Sequence, residues 1–512
     1  MWSCGITGEI SISPFFMKGF TVLRLLPICA ALLLLPVTAP AGTPPLELTL
    51  RDAVRMAAER NLDVRAELYN PAQYEADINR SRAIYDPLFK GDAGYSDTRS
   101  PTVSVNSPVT VSGEALQLSS SLSQLFWSGG TASLSFSAPF NNTSVADYWR
   151  PGLGITLEQP LLKNAGREVT EAGITISRLS KFASLEKFNS KLQSIVAQVR
   201  TEYFRLYSLR EQVQVKNVSL GLARKILDET RARVAAGVLP AMEILNAEFG
   251  TVSREKELID AEKAVSDQVD VLRVLLQLEG GRELITADSP GREKLTVDEA
   301  DLLKRALNRQ DIRELKRNLE IAELQSRVND NRIRPDLVLS AATSLTGQDS
   351  SLLRSMEKMA SFDNPAWSLG LTMTYPIGNN AAENDYRKSR LKLEQVALQI
   401  RVVEESALNE VRSAVRGVVT GFKQIDVADR GRTFAEERLR AFIKKNEVGL
   451  ATTKDVLDVE NDLAAAKSSQ ISAVVDYNNA ITRLWLVSGT LLEREGIHIV
   501  ESTADRLYTR VR

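Results

Sequence analysis

Residues that commonly perform covalent chemistry are scarce in this sequence. Its single histidine is His498, near the carboxyl end, and its two cysteines, Cys4 and Cys29, both lie within the first 41 residues. One histidine, with no cysteine beyond residue 41, cannot supply a Ser-His-Asp triad, a thiolate nucleophile or a cysteine metal site. The sequence therefore argues against an enzyme, a periplasmic hydrolase included, and predicts no cofactor.

Paired carboxylates are the remaining candidates for a charged site. Asp455 and Asp458 are three residues apart, so on a helix their side chains lie on one face. Such a pair can attract cations, but two carboxylates on a solvated helix need no function, and the spacing alone favours that plainer interpretation. Glu243 and Asn246 hold the corresponding places in an earlier, similar segment, where one carboxylate remains.

The elements that position these residues occur twice along the chain. The offset between matching segments falls from 248 to 216 and then 212, which indicates an insertion of about 32 residues in the first half. The matches, in order, are Asp63-Val64-Arg65 with Asp311-Ile312-Arg313, Leu153-Gly154-Ile155-Thr156 with Leu369-Gly370-Leu371-Thr372, and Gly237 with Gly449. We predict a first repeat at 42–290 with an inserted β segment at about 98–147, a second repeat at 291–495, and a tail at 496–512.

The first 41 residues resemble a secretory signal peptide. Lys18 and Arg24 precede an apolar run, Leu25–Val37, and small residues lead to a predicted cleavage after Ala41. An uncleaved membrane anchor is the alternative, but the run is well short of the roughly 20 apolar residues that a span requires. Translation could start at Met1 or at Met17, which opens a more ordinary signal.

Heptad spacing predicts long coiled-coil helices in both halves. A helix from Gly166 to Ala236 would extend about 105 Å, far more than a compact globule needs. A free-standing cytoplasmic coiled coil would explain the helices but neither the signal peptide nor the strands. The seams are predicted at Leu192, Val199, Leu206, Val213, Leu220, Leu227 and Val234 in the first half, and at Val411, Val415, Val418, Phe422 and Ile425 in the second.

Alternating segments between the helices predict membrane strands. From Trp367 to Tyr375 apolar residues share one face and small polar residues the other, with aromatics at both ends, and the segment from Trp149 repeats the design. A soluble sandwich alternates similarly. The insertion also alternates around a tight turn at 127–130. We predict four strands in the first half and six per chain, or about eighteen in a trimer, with long outer loops at 96–113 and 141–147. The alternative is a smaller barrel with four strands per chain and the insertion outside it.

The chain resembles the TolC family of outer-membrane efflux proteins from about residue 46 to 489. The resemblance is carried by the duplicated helix-strand-helix pattern, by Gln159-Pro160-Leu161-Leu162 with Gly166, and by paired tips at 237–239 and 448–452. It implies a mainly helical fold with membrane strands. It also implies a trimer whose strands build one shared outer-membrane barrel and whose helices build one shared periplasmic tunnel.

The same resemblance implies roles for particular residues. Asp455 and Asp458 would form acidic rings at a narrow periplasmic aperture, with Glu243 and Asn246 contributing a weaker pair. The tips would dock a periplasmic adaptor protein through Gly237, Val238, Gly449 and Leu450, and an aromatic girdle would contain Trp149, Trp367 and Tyr375.

The predicted function is a passive exit duct for efflux or type I secretion. No nucleotide-binding loop is present, so energy would come from an inner-membrane pump. A net charge of -1 argues against nucleic acid as a partner. The alternative is a coiled-coil protein that tethers the envelope without transport. The substrate is not predictable from this sequence.

Overall fold

A computed structural model describes residues 46–104, 107–143, 146–280, 283–497 and 502–511. The predicted signal peptide and His498 lie outside these residues. The described chain is mainly helical, with one large antiparallel sheet and one small parallel sheet. None of its described helices is both long and apolar enough to cross a membrane.

Helices flank the sheet in both halves. In chain order they are α1 (Leu50–Arg60), α2 (Leu62–Arg82), α3 (Arg167–Thr170), α4 (Ala172–Ala235), α5 (Met242–Leu276), α6 (Glu299–Ala306), α7 (Gln310–Ile333), α8 (Leu352–Ala360), α9 (Asn380–Glu447), α10 (Thr453–Val487), α11 (Leu491–Arg494) and α12 (Ser502–Val511). The strands are β1 (Leu46–Leu48), β2 (Leu88–Ser104), β3 (Ser107–Leu125), β4 (Thr131–Ser137), β5 (Phe140–Thr143), β6 (Asp147–Trp149), β7 (Gly152–Pro160), β8 (Leu284–Thr286), β9 (Asp336–Thr346) and β10 (Pro365–Thr374).

Two helices run nearly the length of the helical part. The 64 residues of α4 span about 96 Å and the 68 residues of α9 about 102 Å at 1.5 Å per residue. The predicted helix from Gly166 is confirmed for most of its length. It starts later because Gly166 has a φ of +94° and is followed by the short α3 before α4 begins.

The predicted heptad seams are confirmed as core. Every predicted seam residue in both halves is buried or half-buried, because each seam faces a neighbouring helix of the same chain. The buried members are Leu192, Val199, Leu206, Leu220 and Leu227 on α4, and Val411, Val418 and Ile425 on α9.

The bundle presents four helices at each level. Near the sheet α4 packs against α2 and α9 packs against α7, and further from the sheet α5 and α10 take those places. Lys181 of α4 pairs with Glu75 of α2, whereas Lys216 lies further along α4 and pairs with Glu257 of α5. Contacts of α4 with α7 and α10 join the two halves along the whole length.

The large sheet forms an antiparallel wall in the order β10, β9, β7, β4, β3, β2. The short strands β5 and β6 continue β4 and β7 beyond a break at Pro139 and Pro151, where a missing backbone N–H prevents regular pairing. Hydrogen bonds from Ala138 N to Leu118 O (2.7 Å) and from Arg150 N to Pro139 O (2.9 Å) hold the strands together across this break.

The predicted outer loops are wrong. Residues 96–104 and 107–113 belong to the outer part of the β2–β3 hairpin, which is paired from Leu88 with Ser123 to Ser104 with Ser107. Most of 141–147 belongs to β5 and β6. These segments are polar, but a hairpin ladder is satisfied by backbone bonds and needs no apolar side chains to continue.

The remaining contacts fix the ends of the chain. β1 and β8 form the small parallel sheet, and the Tyr203 hydroxyl of α4 donates to Leu48 O (2.8 Å) and accepts from Asp288 N (3.0 Å). Burial raises the pKa of Tyr203 to about 12. The predicted tail contains α12, whose Asp505 pairs with Lys181 (2.7 Å).

Candidate functional site

The two helical tips have the same backbone geometry. After α4, Gly237 N donates to Val234 O (3.0 Å) and Val238 N to Arg233 O (2.9 Å), and Gly237 has a φ of +71°. This pair of bonds is the Schellman motif, in which a left-handed residue ends the helix. Glycine adopts that conformation without the steric cost that a Cβ brings, so this position strongly favours it.

The second tip repeats these bonds. Gly449, with a φ of +75°, donates to Asn446 O (3.1 Å), and Leu450 N donates to Lys445 O (2.8 Å). The side chains that follow the two glycines remain in solvent, with Val238 70% and Leu450 77% exposed. Apolar side chains held this far into solvent on rigid turns are suited to contact with another protein.

A link between the tips was missed by sequence reasoning. Arg233 Nη1 donates to both the backbone oxygen and the side-chain Oδ1 of Asn446, each at 3.1 Å. Asn446 Nδ2 in turn donates to Ala451 O (2.9 Å). The end of α4 is thus tied to the end of α9 and to the turn that leads into α10, across 213 residues of sequence.

The predicted acidic pair lies at the start of α10. Asp455 and Asp458 are both exposed on its first two turns. Asp455 Oδ2 accepts from Thr452 N (2.8 Å) and Thr452 Oγ1 (2.7 Å), while Asp455 N donates to Thr452 Oγ1 (3.1 Å), which completes a capping box. The backbone hydrogen bond from Thr452 lowers the pKa of Asp455, so its carboxylate stays charged at neutral pH.

The corresponding residues of the first half are placed differently. Glu243 and Asn246 lie on the first turns of α5 and are half-buried, and one carboxylate oxygen of Glu243 is buried without a hydrogen-bond partner in the described structure. The helix has no side-chain N-cap, since Ala241 holds that position. Of the four predicted aperture residues, only the two aspartates therefore present fully exposed groups.

A buried ion pair joins α5 to α10 close to the aspartates. Arg254 and Glu460 are 8% and 4% exposed, and both Nε and Nη2 of Arg254 donate to Glu460 Oε2 at 3.2 Å. Arg254 Nη2 also donates to Leu457 O (3.1 Å). Gly250 lets the helices approach, because a Cβ there would lie 2.7 Å from Leu457 Cδ1. This contact fixes α10 within one turn of Asp458.

One face of the strand wall is apolar from edge to edge. The strand register aligns large apolar residues of all six strands on that face, and most of them are exposed in the single chain. They are Phe89, Tyr95, Leu116, Leu118, Leu122, Leu134, Phe136, Leu153, Ile155, Leu157, Leu337, Leu339, Leu345, Trp367, Leu369, Leu371 and Met373. Such a surface matches a lipid-facing wall.

The opposite face carries small polar residues. Ser119, Ser121 and Ser123 of β3 pair with Ser137, Ser135 and Ser133 of β4, and β7 continues the row with Gly152, Gly154 and Thr156. Small hydroxyl side chains are suited to a water-filled lumen. No described group of histidines, cysteines or carboxylates has the arrangement of a metal site.

The predicted aromatic residues lie at the ends of the apolar face. Trp149 stacks on Phe140 (5.0 Å between ring centroids) and aligns with Leu116 across the strands. Trp367, 80% exposed, lies at the outer end of β10, and Tyr375 follows its inner end. Trp127 is exposed in the predicted turn at 127–130, on the helical side of the wall, and was not among the residues predicted for the aromatic girdle.

Together the wall and the stem define a class, namely outer-membrane channel proteins with a long helical extension. Comparison with known proteins agrees. BepC, an outer membrane efflux protein of Brucella suis, is 21% identical over 388 residues, which cover 74% of this chain and 81% of the relative. The CusC channel structure matches with a TM-score of 0.66 at 16% identity, covering 89% of this chain and 95% of that one. The Campylobacter jejuni CmeC outer membrane channel matches with a TM-score of 0.63 at 15% identity, covering 89% and 90%.

The particular family follows from the sequence profile. The chain belongs to the outer membrane efflux protein family, whose profile matches residues 53–276 and 302–490. The two matched segments fall in the two predicted repeats, and the predicted resemblance to TolC-like proteins is confirmed.

Proposed function

We propose that this protein is the outer-membrane exit duct of a tripartite efflux or type I secretion system, which conducts solutes passively from the periplasmic side to the exterior. The observation that carries the proposal is the strand wall, apolar on one face and lined with small polar residues on the other. Energy would come from an inner-membrane pump, joined to the duct by a periplasmic adaptor protein.

The open edges of the wall support a shared barrel. Among the described strands of a single chain, β2 and β10 each have one unpaired edge, and unpaired backbone groups in lipid cost several kcal/mol each. β2 runs away from the helices and β10 runs towards them, so β2 of one copy is antiparallel to β10 of the next. A closed ring of copies, three in the family, satisfies both edges.

The helices carry a matching apolar stripe. On α5, Met242, Leu245, Phe249, Val252 and Ile259 are spaced by three, four or seven residues and are between 60% and 79% exposed. That spacing is typical of a coiled-coil seam, and no described part of the same chain covers it. A neighbouring copy of the chain would bury it and so extend the barrel as a tunnel.

In this assembly Asp455 and Asp458 would form two acidic rings at the periplasmic aperture. Their exposure and the lowered pKa of Asp455 support a cation-attracting constriction. Glu243 and Asn246 would lie behind the rings, in keeping with their half-buried positions. The apolar tips Gly237-Val238 and Gly449-Leu450 would dock the adaptor.

Single-channel recording in planar bilayers tests this function. The wild-type protein should form channels that prefer cations, and Asp455→Ala plus Asp458→Ala should weaken that preference. A charge-matched control is Glu394→Ala plus Glu405→Ala, on exposed positions of α9 away from the tips, which should change the preference less. A correctly assembled protein that conducts no ions would instead favour a tethering role.

A further inference from the structure

The two halves contribute unequally to the wall. The second half supplies one hairpin, β9–β10, whereas the first supplies two, β2–β3 and the hairpin formed by β4 and β7. The sequence offset assigns the difference to the insertion at about 98–147. The inserted hairpin consists of β3 and β4, which lie within this insertion, and it either belongs to the barrel or lies outside it.

The inserted strands have the side-chain pattern of the wall itself. Leu122 of β3 aligns with Leu134 of β4, and each is about 45% exposed on the apolar face. Between them on the other face, Ser121 aligns with Ser135. β4 is bonded on both sides, to β3 and to β7, so it occupies an interior place in the sheet. A hairpin attached outside a barrel would need neither feature.

Resting on the proposed trimeric duct, we propose that the inserted hairpin widens the outer barrel to eighteen strands, so that bulky polymeric cargo such as a helical polypeptide hairpin leaves without being sieved there. Six strands in each of three chains give this number. Six is even, so the ring closes with antiparallel neighbours throughout.

The effect on the bore is large. With strands about 4.8 Å apart and tilted by about 40°, eighteen strands enclose a backbone diameter of about 36 Å, against about 24 Å for twelve. Allowing about 5 Å for side chains on each wall leaves a bore of about 26 Å in the eighteen-stranded barrel and about 14 Å in the twelve-stranded one. A helix with its side chains is about 10 to 12 Å across, so two helices fit side by side only in the wider barrel.

The helical stem favours the wider barrel as well. Each chain presents four helices at each level, and twelve helices at about 9.5 Å spacing form a ring about 36 Å in diameter. The eighteen-stranded barrel would continue that ring without a step. Cargo would then be selected by size at the helical tips, where the bundle ends, and not in the barrel.

Arginine substitutions on adjacent positions test the placement of the insertion. Ser121→Arg should assemble, reduce single-channel conductance and shift selectivity towards anions, because its charge would enter the lumen. Leu122→Arg should reduce trimer yield in the membrane, because its charge would face lipid. A channel unchanged by Ser121→Arg, in a membrane that tolerates Leu122→Arg, would overturn the proposal.

A deletion measures the bore directly. Removing residues 98–147 joins the inner part of β2 to β7 and leaves four strands per chain. Polyethylene glycols of graded size, added from the outer side only, should enter the wild-type channel up to a hydrodynamic diameter near 25 Å and should be excluded from the variant well below that. Electron cryomicroscopy of the full-length trimer would count the barrel strands directly, without the deletion variant. Twelve barrel strands, or a wild-type limit near 14 Å, would refute the wide barrel while leaving the duct intact, whereas absence of any channel would refute the duct itself.

Discussion

The buried pair Arg254–Glu460 allows a quantitative test of how the tip is held. Removing one partner of a buried ion pair leaves an uncompensated charge and costs about 3 to 5 kcal/mol. Glu460→Leu should therefore destabilise the α5–α10 contact by about 3 kcal/mol or more, since Arg254 is 8% exposed and, among the described residues, keeps only Leu457 O as a partner. Replacing both, Arg254→Met plus Glu460→Leu, should be near neutral, because no charge then remains buried.

Hydrogen-deuterium exchange of the assembled protein measures the stability of the α5–α10 contact locally. About 3 kcal/mol corresponds to more than a hundredfold faster exchange at the protected amides of α10 around Glu460. The matched control is Asp462→Ala, which breaks the exposed Arg438–Asp462 pair between α9 and α10 (2.7 Å) and should cost at most about 1 kcal/mol. Equal exchange in Glu460→Leu and in the double variant would contradict the reasoning.

Three further predictions concern the tips and the chain ends. Gly449→Ala should destabilise the second tip by about 1 kcal/mol through its φ of +75° alone, since a Cβ there meets nothing within 4 Å. Hydrogen exchange should show faster opening of this tip, whereas the control Gly221→Ala within α4 should stabilise its helix. Equal effects of the two substitutions would count against the Schellman assignment. Tyr203→Phe should cost about 1 kcal/mol in thermal unfolding, because it removes the hydroxyl that bonds Leu48 O and Asp288 N. An absorbance titration should lose one tyrosine that ionises near pH 12, and an unchanged titration would show that Tyr203 is not held as described. In the Asp458→Ala channel, cation preference should persist below pH 3.8, because the pKa of Asp455 is lowered from 3.8 and its carboxylate stays ionised until the pH falls through the lowered pKa. A loss of cation preference centred above pH 4 would contradict the capping geometry.

Features with strong periodicity could be predicted from the sequence. The heptad seams identified the buried stripes of α4 and α9 because a coiled-coil interface imposes a regular spacing on apolar residues. The tips were identifiable because a left-handed helix end strongly favours glycine, and Gly237 and Gly449 recur at matching places. The alternation of apolar and small polar residues identified the strand wall, because successive side chains of a strand point to opposite faces.

Features that depend on backbone pairing or on long-range contacts could not be predicted. The predicted loop at 96–113 is wrong because a strand ladder such as that between Thr98 and Gly113 needs only backbone groups, which the side-chain pattern does not reveal. Arg254 and Glu460 are separated by 206 residues, and nothing local marks either as a partner. Glu243 matched Asp455 by position in the repeat, but without a side-chain cap its surroundings differ.

Disulfide trapping between copies tests the central claim most directly. The sequence after residue 41 contains no cysteine, so Gly94→Cys on β2 can be combined with Ser368→Cys, Gly370→Cys or Thr372→Cys on β10. Within one chain these strands lie at opposite edges of the wall, about 24 Å apart at about 4.8 Å per strand, too far for a disulfide. Closure of a shared barrel predicts that at least one pair yields a ladder of oxidised dimers and trimers ending at three chains, with no such ladder for Gly94→Cys alone. Monomers from every pair, in protein extracted from the outer membrane, would contradict it.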